Sequence, residues 1–196
     1  MFSFSRLVGR GFKPPSNLAT NSEARNLWTA SGASVTSNVT TQPTHGGTTV
    51  DQMTESGGLS GHSLTIATTI SFTSGTTYTY SEIVKYDAGT AQFVQLLLGS
   101  AAFGSNAWGN FDIQNGTVQT KGSAATTSII DLGSGWYRCV LTATATGTAS
   151  TAVALYAANS GTMTRAASYT GSTANRRLLG GAQVETGSSA GTYVPT

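Results

Sequence analysis

Ser63-Leu64-Thr65-Ile66-Ala67-Thr68-Thr69-Ile70-Ser71-Phe72 is the stretch whose reading decides the fold. Leu64, Ile66, Ile70 and Phe72 fall on one face, and Ser63, Thr65, Thr69 and Ser71 fall on the other. Successive side chains of a strand point to opposite sides, so this alternation predicts an antiparallel strand with one face on a core and one on water. Ser74-Gly75 turns the chain, and Thr76 to Tyr86 repeats the pattern with Tyr78, Tyr80, Val84 and Tyr86 on one side.

Strand-sized runs continue outward from this pair. Gln92 to Leu98 is more continuously apolar, as expected of a central strand. Phe111 to Ile113 and Thr117 to Gln119 flank Asn115-Gly116, a strong hairpin signal. Thr126 to Leu132 and Trp136 to Ala143 form another pair about Gly133-Ser134-Gly135, followed by Thr151 to Ala157 and Leu178 to Glu185, with Tyr193 as a further strand residue. Upstream, Asn26 to Ser31 and Ser34 to Thr40 read as strands, and Thr41 to Gly61 as a long loop with short strand pieces. No helical period separates these runs, which excludes a parallel α/β architecture. The expected fold is all-β, a two-sheet antiparallel jelly-roll β-sandwich.

Composition agrees. Charged residues make up 9% of the 196 residues, against roughly 25% in ordinary soluble domains. Gly, Ser, Thr and Ala take their place, which favours strand and turn over surface helix. Hydrophobic residues reach 38%, too many for a disordered chain. The net charge of +2 argues against nucleic acid as a partner. No apolar run approaches the roughly 20 residues of a membrane span, and no secretory signal is recognisable.

Residues 1–20 differ from the rest. They hold Arg6, Arg10 and Lys13 ahead of any acidic residue, the apolar Phe2, Phe4, Leu7, Val8 and Phe12, and Pro14-Pro15. Two prolines in succession resist helix and central strand and favour an extended path. The expected organisation is an N-terminal arm over residues 1–20 and a sandwich domain over 21–196.

Chemistry-bearing residues are sparse. The acids Glu23, Asp51, Glu55, Glu82, Asp87, Asp112, Asp131 and Glu185 are scattered near strand ends and turns, and are expected to cap turns and solvate the surface. His45 and His62, both near glycines, are expected in exposed loops. No zinc-ligand spacing and no phosphate loop occur, so no metal, no cofactor and no catalytic residue is expected. Asp51, Asp87 and Asp131 could each offer an oxygen to calcium, without a contiguous calcium-loop motif. Cys139, in step with Tyr137 and Leu141, reads as a small buried hydrophobe. Among the aromatics Trp136 reads as core. Trp108, in the polar, flexible loop expected over Gly104 to Asn110, is the candidate glycan-binding residue.

Several segments together resemble a jelly-roll domain that recurs in structural proteins of tailed bacteriophages. They are Asn17-Leu18-Ala19-Thr20-Asn21-Ser22-Glu23 with Trp28; Tyr78-Thr79-Tyr80-Ser81 with Val84-Lys85; Phe111-Asp112-Ile113 with Asn115-Gly116-Thr117-Val118; Gly135-Trp136-Tyr137-Arg138-Cys139; and Gly181-Ala182-Gln183-Val184-Glu185 with Thr192-Tyr193-Val194-Pro195-Thr196. Such domains occur in tail fibres, head spikes and capsid-bound proteins, and are similar to carbohydrate-binding modules and lectins. Arg176-Arg177 stand where that pattern often has an aromatic. The resemblance implies a virion setting and a trimer.

The expectation drawn is a non-enzymatic capsid decoration (cement) protein, a homotrimer on the capsid surface. Its arm residues Phe2, Phe4, Arg6, Arg10, Phe12 and Lys13 would meet the major capsid protein. The alternative is a fibre or spike domain that binds host-surface glycan through Trp108.

Overall fold

The computed structural model describes residues 16–41 and 49–196. Its first large sheet contains β1 (Thr29–Ser31), β5 (Ser63–Thr65), β8 (Phe93–Leu98), β9 (Trp108–Asp112), β10 (Thr117–Lys121) and β14 (Val153–Ala158), in the spatial order β1-β5-β14-β8-β9-β10. The second contains β2 (Ala33–Thr40), β3 (Val50–Glu55), β7 (Thr77–Ala88), β11 (Thr126–Gly133), β12 (Trp136–Thr144) and β16 (Arg176–Thr186), in the order β11-β12-β7-β16-β3-β2. Two short ladders complete it: β4 (Gly58–Ser60) with β15 (Tyr169–Gly171), and β6 (Ile70–Phe72) with β13 (Ala149–Thr151). All these pairings are antiparallel, and neighbours such as β7 and β16 lie far apart in sequence. The fold is a jelly-roll β-sandwich, as the alternation predicts.

The deciding stretch is not one strand. Ser63–Thr65 pairs with β1 and β14, and the Ile66 amide donates to the Val153 carbonyl at 3.1 Å, closing that ladder. Ala67, Thr68 and Thr69 then bend in solvent, and Ile70 re-enters as β6 against a different partner. The bend leaves Ile66 and Ile70 both inward, so the hydrophobic parity survives the break.

The core lies between the large sheets. Leu64, Val94, Leu96, Leu98, Phe111, Val153 and Leu155 from the first meet Tyr78, Tyr80, Val84, Cys139, Leu141, Leu179 and Val184 from the second. Each large side chain so buried contributes about 1.5–3 kcal/mol before entropy is counted. Two helical turns occur within the described residues: Arg25–Leu27, and α1 (Ser100–Phe103), which carries Phe103 into the core.

Both chain ends of the domain are tied to the second sheet. Asn17 acts as a surrogate peptide group beside β16: its Nδ2 donates to the Ala182 carbonyl at 2.7 Å, and its Oδ1 accepts from the Val184 amide at 3.0 Å. The Leu18 amide donates to the Val184 carbonyl, and the Ala182 amide to the Ser22 carbonyl. Tyr193 is not in a strand. It is buried on the outer face of the second sheet with Val50, Ile83 and Trp136, so Trp136 packs in this smaller cluster instead of between the sheets.

Candidate functional site

Trp108 is set on a strand, not in a flexible loop. The turn α1 ends at Gly104, whose φ of +66° suits a residue without Cβ. Four residues later Trp108 opens β9. The Leu98 amide donates to the Ala107 carbonyl, Leu97 lies opposite Trp108, and the Gly122 amide donates to the Trp108 carbonyl at 3.0 Å. Strand parity sends Phe111 to the core and Trp108 to the outer face of the first sheet, where its ring is half-buried. Gly122 fits closely against it: a Cβ there would lie 2.1 Å from the Asn106 carbonyl oxygen and 2.8 Å from Trp108 Nε1. Ser105, Asn106 and Ser123, in the segments on either side of it, are exposed.

Part of the same outer face is covered by the segment 159–168, which is pinned by buried amide side chains. Gln95 Nε2 donates to Asn110 Oδ1 and to the carbonyls of Met163 and Thr164, while its Oε1 accepts from the Ala166 amide at 2.7 Å. Asn110 Nδ2 donates to Met163 and Gly161 carbonyls. Arg165 reaches the strand ends: its Nη2 donates to the Leu98 carbonyl at 3.0 Å and its Nη1 to the Ala107 carbonyl at 3.3 Å. Nothing in the local sequence around Arg165 singled it out; its position comes from a long-range strap.

The acids correct the expectation of turn capping and surface solvation. Asp112 and Asp131 do cap turns, accepting from Gln114 and Asn115 amides and from the Gly133 amide. Glu55 and Glu82, however, are buried inside the sandwich. Glu82 takes a two-point contact from Arg25, with Nη2 to Oε2 at 2.6 Å, and a hydrogen bond from the Tyr80 hydroxyl. Burial raises its pKa, against the pull of Arg25. Glu55 accepts from Arg177, Tyr169 and Asn175. Burial works to raise its pKa too, but Arg177, Asn175 and Tyr169 outweigh it and the net shift is downward. Buried charges persist only when paired in this way. Asp51 is buried as well, accepting from the backbone amides of Arg25 and Asn38. Asp87 pairs with Arg176. Asp51, Asp87 and Asp131 therefore hold three separate sets of partners, and among the described residues no group of three His, Cys, Asp or Glu is placed to hold a metal ion.

His62 is fully buried, not in an exposed loop. Its Nδ1 lies 2.5 Å from the Gly32 carbonyl oxygen and its Nε2 3.1 Å from that of Tyr169. Cys139 is buried as expected, and burial, reinforced by the Glu82 charge, raises its pKa well above the usual thiol value. Trp28 is buried under the Arg25 guanidinium, 4.3 Å from the ring centroid. Phe2, Phe4, Arg6, Arg10, Phe12, Lys13 and His45 lie outside the described residues.

The structure thus defines an antiparallel β-sandwich whose buried carboxylates are committed to structural partners, with one half-buried tryptophan on an outer face. No family model matches the sequence, and no curated protein does. Among solved structures it is similar to a tailspike protein 4 domain of bacteriophage CBA120, with TM-score 0.47 and 13% identity over 87% of this chain. This chain spans 21% of that one. It is also similar to the carbohydrate-binding module of Cellvibrio mixtus lichenase 5A, solved with cellotriose, with TM-score 0.44 and 11% identity, covering 85% of this chain and 96% of that one. A xylan-binding domain of Paenibacillus barcinonensis gives TM-score 0.38 and 20% identity, over 83% of this chain and 87% of that one. Likeness of this degree carries no argument about what this chain binds.

Proposed function

We propose that this chain is a non-catalytic, glycan-binding β-sandwich module of a virion fibre or spike, with Trp108 as its stacking platform. The observation that carries the reading is Trp108 itself. A large apolar ring stands half-open on a hydrogen-bonded strand, while Trp28 and Trp136 are buried. A flat aromatic held rigidly loses little entropy when a sugar ring stacks on it. Asn106, Ser105 and Ser123 around it offer polar groups for sugar hydroxyls. The virion setting comes from the sequence resemblance to phage jelly-roll domains. The non-catalytic reading is supported by the commitment of Glu55, Glu82, Asp87 and Asp112 to structural contacts, which leaves none of these four as a free acid–base partner.

A glycan array of the whole chain, run beside Trp108→Ala, tests this. Retention of a defined glycan class by the wild type and its loss in the variant, with unchanged melting temperature, is the expected result. Equal behaviour of the two proteins would overturn the reading.

Capsid decoration remains a second reading. It is favoured by the fixing of Asn17 to Ser22 beside β16, so that chain attached ahead of them departs from a defined place. Saturable binding to undecorated capsids, lost on removal of residues 1–15, would establish it, with a trimer as the expected assembly.

A further inference from the structure

We propose that Arg165 and Trp108 together form a subsite for acidic glycans, in which the guanidinium takes an oxyanion carried by the sugar, a carboxylate or a sulfate ester, while the ring stacks on the indole. The proposal deepens the glycan reading and rests on it.

Position is the first argument. Arg165 Nη1 donates to the carbonyl of Ala107, the residue that precedes Trp108, and Nη2 to the carbonyl of Leu98, whose amide bonds that same Ala107 carbonyl. The guanidinium is thus held at the end of the β8–β9 ladder, from which Trp108 projects. It is fixed by two uncharged oxygens out of the five N–H groups a guanidinium carries.

Charge is the second. Among the described residues the ion pairs join Arg25 to Glu82, Arg176 to Asp87 and Arg177 to Glu55, and none involves Arg165. Burial lowers its pKa from the usual arginine value, yet an arginine still holds its proton. The half-buried cation is therefore left without a counter-charge. The sequence around it offers none: no Asp or Glu occurs between Asp87 and Asp112, between Asp112 and Asp131, or between Asp131 and Glu185. Those intervals supply β8, most of β9, β10 and β14 as well as the strap. Asp112 is at the far end of β9, roughly 13 Å along the strand from Trp108. Its oxygens already accept from Gln92, Gln114 and Asn115. Lys121, opposite Gly109 in the β9–β10 ladder, leaves from the face away from Trp108 and donates its Nζ to the Ala125 carbonyl.

Chemistry is the third. A planar guanidinium presents paired N–H groups that match the oxygens of a carboxylate or sulfate, and such bonds are about twice as strong as neutral ones. An apolar ring beside a fixed cation fits a sugar that bears an anion better than a neutral one.

The test is calorimetry on the whole chain with two matched probe pairs: oligogalacturonate against its methyl ester, and a sulfated galacto-oligosaccharide against the unsulfated one. The expected result is tighter binding of the charged member of one pair by about tenfold at low salt, shrinking toward parity in about 0.5 M salt. Which pair shows it assigns carboxylate or sulfate. Arg165→Gln should then bind both members with the neutral member's affinity, and Trp108→Ala neither. Should Arg165→Gln unfold, the wild-type difference and its salt dependence decide alone. Equal wild-type affinity within each pair would make Arg165 a structural peg only and overturn the proposal, with the Trp108 reading intact. Binding of no probe, with Trp108→Ala unchanged from wild type, would overturn both.

Discussion

Arg177 Nη1 donates to Glu55 Oε1 at 2.8 Å, and both side chains are fully buried. The two face each other inside the sandwich, across the pairing of β16 with β3. Arg177 Nε also donates to the Phe93 carbonyl at 3.1 Å, so the pair joins the two sheets. Removing one partner leaves the other charge buried and unpaired, which costs about 3–5 kcal/mol. Arg177→Met should therefore lower unfolding free energy by that order in urea titrations. Arg176→Met, next to it but exposed and paired with half-open Asp87, should change it by under about 1 kcal/mol.

Glu55 also sets an acid limit. Its folded-state pKa is depressed, so the stability it contributes is present above the unfolded carboxylate value, about 4.3. That contribution is lost as pH falls from there through the lower folded value. Melting temperature measured down a pH series should fall in this window, and Glu55→Gln, already less stable, should show a flatter acid limb. A parallel fall in both proteins would assign the effect elsewhere.

The sheet architecture was legible because parity is local: Leu64, Ile66, Ile70 and Phe72 declare their side of the sheet whichever strand they join. The break at Ala67–Thr69 was not legible, since a three-residue bend preserves that parity. The burial of Glu55, Glu82 and His62 was hidden for a different reason. Each is tolerated only because partners over a hundred or several dozen residues away arrive to satisfy it, as Arg177 does for Glu55 and Arg25 for Glu82. The same holds at the candidate site. Trp108 could be singled out from its polar surroundings, but its place on a strand depends on Leu97 and Gly122, and Arg165 is brought in by contacts of Gln95 and Asn110 with the strap.

Phe72, Tyr78 and Phe103 meet edge to face, with ring centroids 4.8 Å apart for Phe72 with each of the others. Phe103 comes from the single turn α1, too short to hold itself as a helix. Phe103→Ala removes the anchor of that turn and opens a core cavity, at a cost of about 3–5 kcal/mol. Chemical denaturation should report that loss. Amide exchange should accelerate in residues 100–107 more than in β12.

Cys139 offers a probe of global opening. The thiol is fully buried and its pKa is raised by burial and then by Glu82, so little thiolate forms and none is accessible. Ellman's reagent should react with it only through unfolding, at a rate that rises with denaturant along the unfolding limb. Rapid labelling of the native protein would show that β12 opens locally.

Trp108 should dominate the response of the fluorescence to quenchers, because Trp28 and Trp136 are 5% and 3% exposed. Trp108→Phe should abolish most acrylamide quenching, whereas Trp136→Phe should leave it. Charged quenchers carry more information. With Arg165 held at the end of the strand pair that carries the indole and no acidic residue in β8, β10, β14 or the strap, iodide should be concentrated at the ring and caesium repelled, a difference that salt screens within about 10 Å at 0.1 M. Arg165→Gln should bring the two ions closer together in efficiency. If iodide and caesium quench the wild type equally, the face around Trp108 lacks the positive potential that an acidic glycan would need, whatever else stacks on the ring.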